Sequence, residues 1–247
     1  MIDIYTNEAT VDRVTKRLVS QGTSIFQIWK KGTTDSEHCR WLLDLAQFPL
    51  NAHVLDIACG IGATASYMQA LRPDLKFSLQ NISPSQLALC PIAYPLACHK
   101  FQGNMDMLDN VPNEAFDAAM LCYALGHVHS IELFLYNAAR VLKPGGVLFV
   151  YDMQAKSGHE KWVWDTFNYR TYTAGQLALI AWYKQLFSAL QVLEEVRDAG
   201  LNCLEFLNRC PDRTIDEMDA YTWPVGYRFV KSKQVFGPQQ AQDKHHP

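Results

Sequence analysis

The sequence is short of the features that would place a chain outside the ordinary globular class. No apolar run approaches the length of a membrane span, so no membrane partner is expected. No basic run occurs and the net charge is −3, so nothing favours nucleic acid or an anionic membrane surface. Met1-Ile2-Asp3 carries neither a basic n-region nor an apolar h-region, so no secretory leader is expected. The 7 cysteines are odd in number, scattered, and include no C-x-x-C pair. That argues against a disulfide framework or a zinc site and suits a reducing, cytoplasmic setting. Most of them are expected as small core residues. No Gly-Lys-Ser/Thr follows a glycine turn, which excludes a P-loop. No carboxylate array for Mg²⁺ is present, so no metal is expected. What is left is 247 residues, 49% apolar and 19% charged, enough for one full core without a second domain.

The stretch that organises this chain is Val54-Leu55-Asp56-Ile57-Ala58-Cys59-Gly60-Ile61-Gly62-Ala63-Thr64. It reads as a buried parallel strand with an acid near its end, then a glycine turn, then a helix start. Gly60 and Gly62 let the backbone turn sharply and approach a ligand where a side chain would collide. The free N–H groups of the following helix point back over that turn. This is the nucleotide-site geometry of an open α/β sheet. Gly60, Gly62 and Ala65 also fit the loose dinucleotide fingerprint, so the glycines by themselves leave NAD open.

From residue 54 the rhythm is strand, turn, helix, repeated. Strands are expected at 54–57, 77–81, 116–121 and 147–151, with a weaker one near 99–102. Helices are expected at 64–71, 84–93, 131–141 and 174–199. Such alternation predicts a parallel sheet with helices on both faces. Lys143-Pro144-Gly145-Gly146 separates the helix ending at Leu142 from the next strand. Asn202 to Arg209 and Tyr227 to Val230 are strand-like and suggest a closing antiparallel hairpin. Ahead of residue 50, Thr10 to Leu18 and Ser36 to Leu45 read as amphipathic helices, with Asp35 or Ser36 as N-cap of the second. The tail from Gly237 is polar.

The acid ahead of the glycines decides between cofactors. The pattern Asp-x-Ala-Cys-Gly-x-Gly over Asp56, Ala58, Gly60 and Gly62 resembles motif I of class I S-adenosylmethionine (SAM)-dependent methyltransferases. The similarity runs in order from about Val54 to Asp152. Its second stretch, Leu79-Gln80-Asn81-Ile82-Ser83-Pro84-Ser85-Gln86, resembles the branch reading G-x-(T/N)-(L/I)-S-x-x-Q. Leu79 stands where that branch has Gly, which leaves the sub-branch open. The resemblance implies that Asn81 and Gln86 share the SAM ribose, a role an acid fills in most of the family. The alternative is that Ser83 merely caps a helix. The third stretch, Gly103-Asn104-Met105-Asp106, resembles the adenine segment. It implies Asn104 at the exocyclic amine, the Met105 N–H at a ring nitrogen, and Met105 and Ile82 around the ring. Asp106 replaces Asn104 if the register slips by two, and plain core filling by Met is the alternative.

The fourth stretch is Cys122-Tyr123-Ala124-Leu125-Gly126-His127. The resemblance implies that Cys122 touches SAM through its backbone and that Tyr123 and His127 face the acceptor. His127 is the general-base candidate, because an imidazole titrates near neutrality. A structural His that caps the next helix is the alternative. No Asn-Pro-Pro-Tyr follows this strand, which disfavours N-methylation of adenine or glutamine. Trp162, Trp164, Phe167, Tyr169 and Tyr172 crowd a segment that often forms the acceptor lid. Arg170 among them can pair with an acid or phosphate, and a second small core is the other reading. Asp152 stands where metal-dependent O-methyltransferases place a ligand.

The resemblance therefore implies a Rossmann-like class I methyltransferase fold. Its sheet would be seven-stranded and mostly parallel, with helices on both faces and an antiparallel C-terminal strand. Residues 1–50 would form a helical cap, 51–236 the SAM-binding domain with a lid near 153–175, and 237–247 a polar tail. The expected activity is methyl transfer to a small-molecule acceptor, with O- or C-methylation of a secondary metabolite ahead of N-methylation. A SAM-dependent cyclase and a non-catalytic SAM-binding scaffold are the alternatives, and a homodimer is left open.

Overall fold

A computed structural model of the protein describes residues 35–90, 97–167, 169–183, 185–193 and 221–233, together with 9, 11, 15 and 16. The expected strand at 202–209 and the tail from 237 lie outside the described residues. Of the helix expected over 10–18, Val11, Thr15 and Lys16 are described and helical.

Helix α1 (Asp35–Ala46) buries Cys39, Leu42, Leu43 and Ala46. Their i, i+3, i+4, i+7 spacing makes one apolar stripe. Each fully buried Leu contributes roughly 1.5–3 kcal/mol. Strand β1 (His53–Ile57) is followed by α2 (Ala63–Leu71), β2 (Lys76–Asn81), α3 (Pro84–Leu89) and β3 (Ala97–Gln102). Helix α3 starts with Ser83 accepting the Gln86 N–H and with proline in its first turn. It stops at Leu89, short of the expected 93. Cys90, before Pro91, is extended with ψ 127°, the conformation a following proline enforces.

Strand β4 (Phe116–Cys122) leads through a short 3₁₀ turn (Leu125–His127) into α4 (Ile131–Val141) and β5 (Leu142–Ala155). The Lys143–Gly146 stretch is an excursion inside β5: pairing to β4 jumps from Phe116–Leu142 to Ala118–Val147. Gly146 is required there, since a Cβ would stand 2.9 Å from the Lys143 carbonyl oxygen. Helices α5 (Glu160–Phe167) and α6 (Ala174–Tyr183) and strands β6 (Phe187–Leu193) and β7 (Thr222–Lys231) complete the described elements.

The expected single helix over 174–199 is therefore corrected. It ends at Tyr183, Gln185 turns with φ 52°, and Phe187–Leu193 runs as an edge strand against β7. Tertiary pairing overrides the helical look of that sequence. The antiparallel partners of β7 are β5 and β6.

The sheet order is β3-β2-β1-β4-β5-β7-β6, with β1 to β5 parallel and β7 antiparallel to its neighbours. Strand order reverses between β1 and β4, so a ligand belongs outside their carboxyl ends. Side chains alternate across the sheet. Val54, Met120, Phe149 and Tyr151 pack toward α1 and α2, whereas Leu55, Ile57, Leu121 and Val150 pack toward α4 and α6. By the same alternation Asp56 and Cys122 are directed to the α1 side.

Candidate functional site

Asp56, one residue before the end of β1, is only 2% exposed, and its Oδ2 has no hydrogen-bond partner among the described residues. Burial pushes its carboxyl well above the usual range, against the pull of the Ala65 N–H. Ala58, Gly60 and Gly62 follow with φ of 55°, 57° and 76°. The two glycines serve different ends. A Cβ on Gly60 would meet nothing within 4 Å among the described residues, so on their side the space above the turn is open. A Cβ on Gly62 would meet Cys90 Sγ at 3.1 Å and Leu79 Cδ1 at 3.2 Å, so this glycine lets the turn close on α3.

The turn is held from β2. The Ala58 N–H donates to Gln80 Oε1 at 3.0 Å, and Gln80 Nε2 donates to the Gly103 carbonyl at 2.6 Å. Gln80 thus ties together the ends of β1, β2 and β3. Sequence reasoning missed it, although a polar residue inside a buried parallel strand was the available signal. Asn81 Nδ2 donates to the Gly60 carbonyl at 2.9 Å and to Gln86 Oε1 at 2.8 Å. Asn81 Oδ1 accepts the N–H of half-buried Ile82 at 2.8 Å. Gln86 Nε2 donates to Thr15 Oγ1 at 3.1 Å, which brings the N-terminal segment onto this pair. Asn81 and Gln86, paired from the sequence, are in contact, and Ser83 caps α3 beside them.

Beyond β3, Asn104 Oδ1 accepts the Asp106 N–H at 2.7 Å, and Met105 is half-buried beside the α4 cluster. Asp106 is committed elsewhere: it accepts the His129 and Ser130 N–H groups, both at 3.0 Å, at the start of α4. The two-residue slip would direct a carboxylate already occupied in that way.

At the end of β4, Cys122 is half-buried and its thiol is pushed up by burial. Tyr123 takes φ 61°, with its N–H donating to the Tyr151 carbonyl at 2.8 Å. Its hydroxyl is hydrogen-bonded to Nε2 of His38, a buried residue of α1 that sequence reasoning did not single out. The available signal was a histidine on the apolar face of a helix. Burial lowers the His38 imidazole to about 3 and raises the Tyr123 phenol. His127 closes the 3₁₀ turn with its ring edge-on to Tyr169, centroids 5.1 Å apart.

Asp152 organises this mouth from below. It accepts the Leu125 and Met153 N–H groups and the Tyr169 hydroxyl, each at 2.6 Å. That occupation gives it a structural part in the turn. No group of three His, Cys, Asp or Glu able to hold a metal occurs among the described residues. The aromatic segment does not form one cage. Tyr169 is buried on Asp152, Tyr172 packs toward the α4 side, Trp164 is exposed and Trp162 lies tilted against Tyr221. The Phe167 side chain lies outside the described set. Arg170 donates to the Val128 and His129 carbonyls and lies over Trp164, so those carbonyls replace the expected acid or phosphate.

A family model described as "Methyltransferase domain" matches residues 31–205. The chain belongs to this methyltransferase-domain family. A demethylmenaquinone methyltransferase of Tropheryma whipplei is 37% identical over 101 residues, covering 39% of this chain and 40% of that protein. This family member thus spans about 40% of the length of that curated relative. Among solved structures, the cyclase SpnF aligns with TM-score 0.70 at 16% identity, covering 94% of this chain and 98% of that one. Phosphoethanolamine N-methyltransferase 2 of Haemonchus contortus, solved with S-adenosylhomocysteine, aligns with TM-score 0.67 at 15% identity, covering 94% and 61%. At those identities the likeness is one of fold. The methyltransferase-domain match begins just ahead of α1, so the helix carrying His38 lies within it.

Proposed function

We propose that the protein is a SAM-dependent methyltransferase that methylates a small-molecule acceptor on oxygen or carbon. The observation that carries this reading is the buried Asp56 Oδ2, without a partner among the described residues, beside a Gly60 turn whose Cβ direction is open among them. A buried carboxyl oxygen without a partner calls for a donor or cationic group, which would also draw the carboxyl back toward its ionised form, and SAM carries both an ammonium and a sulfonium. The residues therefore fit the cofactor. Asp56, Ala58, Gly60 and Gly62 would take its methionine end, Asn81 and Gln86 its ribose, and Ile82, Asn104 and Met105 its adenine. Cys122 would border the reacting end through its backbone.

SAM, when bound, supplies an activated methyl group on sulfur. The chain's own residues have the remaining tasks. The Gln80 and Asn81 hydrogen bonds hold the turn in its left-handed conformation before any ligand arrives. Asp152 fixes the 3₁₀ turn, and with it the direction of the Tyr123 and His127 backbone. Residues 1–50 act as the cap, a reading supported by the Thr15–Gln86 and His38–Tyr123 contacts.

Calorimetry with SAM and with S-adenosylhomocysteine tests the cofactor, and NAD serves as the control that should not bind. Labelled SAM with phenols, amines and prenyl-type alkenes then tests the acceptor. A product heavier by one methylene establishes transfer. A rearranged product of unchanged mass points instead to a cyclase, and SAM binding with no product from any acceptor points to a scaffold.

A further inference from the structure

The contact between α1 and the end of β4 bears on proton handling, a role that rests on the methyltransferase reading. His38 is 5% exposed and its Nε2 is bonded to the Tyr123 hydroxyl. Around that pair, Tyr151 packs edge-on to Tyr123 at 5.3 Å and Trp41 edge-on to Tyr151 at 5.1 Å. The Tyr151 hydroxyl is buried and has no partner among the described residues. A buried hydroxyl of that kind awaits a ligand or water. Tyr123 is also held at φ 61°, a conformation a bulky residue keeps only where its surroundings over-determine it. These rings lie on the same side of the sheet as Asp56.

We propose that His38 is the positioning residue for Tyr123. It takes the phenolic proton as a hydrogen bond, which turns the Tyr123 oxygen toward a flat, hydroxyl-bearing acceptor that Tyr151 also contacts. A phenol is the better donor and a neutral imidazole nitrogen the better acceptor, so the bond runs from tyrosine to histidine. In the transfer step the acceptor O–H breaks and its proton goes to the Tyr123 oxygen, while the Tyr123 proton moves to His38 Nε2. The acceptor oxygen bonds the methyl carbon, and the electron pair of the C–S bond stays on sulfur. One proton ends on the imidazole. Burial makes His38 a weak base, held at about 3. A weak base suffices, because an oxygen that is gaining a methyl group sheds its proton far more readily than a free phenol.

Four variants and two readouts test this. Naphthohydroquinone and catechol serve as probe acceptors with labelled SAM. His38→Phe keeps a ring and Tyr123→Phe removes the phenol; each is expected to lower kcat about 100-fold, with KM and SAM affinity unchanged. The double variant should be no worse than either single one, because the two act as a unit. His38→Gln, which keeps a hydrogen-bond acceptor, should recover part of the rate. Independently of activity, nitrogen NMR of the protein without cofactor should find His38 protonated on Nδ1 and bare on Nε2, with a signal that shifts in Tyr123→Phe. Parental kcat in His38→Phe overturns the proposal. So does a multiplied loss in the double variant, or a proton found on Nε2. If the parent binds no SAM, the methyltransferase reading falls, and the NMR result alone then decides the pair.

Discussion

Tyr169 donates its phenolic proton to Asp152 Oδ1 at 2.6 Å, and both residues are buried. Burial pushes Asp152 from an ordinary 3.8 up to about 6, against the pull of Tyr169 and the backbone donors. The folded state therefore binds this proton more tightly than the unfolded chain does. Its contribution to stability is full below 3.8, falls as pH rises to about 6, and is flat above that. Tyr169→Phe removes a donor from the ionised form and should cost about 1.5–3 kcal/mol at neutral pH, the range for bonds to charged groups. Thermal melts of parent and variant across that window check this; equal melting with an unchanged pH slope would discard it.

Gly60→Val should abolish SAM binding while the protein still folds. The new side chain meets none of the described residues, so the expected loss comes from filling the ligand's volume. Valine at φ 57° adds strain of about 1–2 kcal/mol. Calorimetry on folded Gly60→Val that returned parental SAM affinity would remove the turn from the site.

Asn81→Ala and Gln86→Ala should each weaken SAM by about 1–2 kcal/mol, the scale of a lost buried hydrogen bond. Asn81 also holds the Gly60 carbonyl, so its variant should show the larger loss. Binding titrations of both variants decide. Parental affinity in both would place ribose recognition elsewhere.

His127→Ala separates the two candidate bases. The His127 ring lies against Tyr169, while Tyr123 is engaged by His38. The expected result is a lower melting temperature with little change in kcat. A kcat loss of about 100- to 10,000-fold at parental stability, with loss of an imidazole-range pH limb, would return the base to His127.

The motif I turn was legible because its demands are local. A buried run with one acid, then residues at positive φ, is a signature confined to a few consecutive positions. The α1 stripe was legible for the same reason, through helical spacing. The helix expected over 174–199 failed because Phe187–Leu193 becomes a strand only by pairing with Thr222–Lys231. Nothing within its own window encodes that partner. The rings of the segment after β5 likewise find their partners far along the chain. Composition grouped them, but Tyr169 is drawn to Asp152 and Trp162 to Tyr221.

The sequence by itself determined the α/β alternation, the strand that carries Asp56 and the glycine turn. These arise from backbone sterics and short-range spacing. Only the tertiary structure decided which side chains meet beyond the ends of β4 and β5. His38 and Tyr123 are 85 residues apart, and Asp152 reaches Leu125 across two strands' ends. Such contacts are set where α1 packs on the sheet and where β4 lies beside β5. The physical reason is that packing, unlike a turn, is specified by the whole set of buried surfaces and not by any one stretch of the chain.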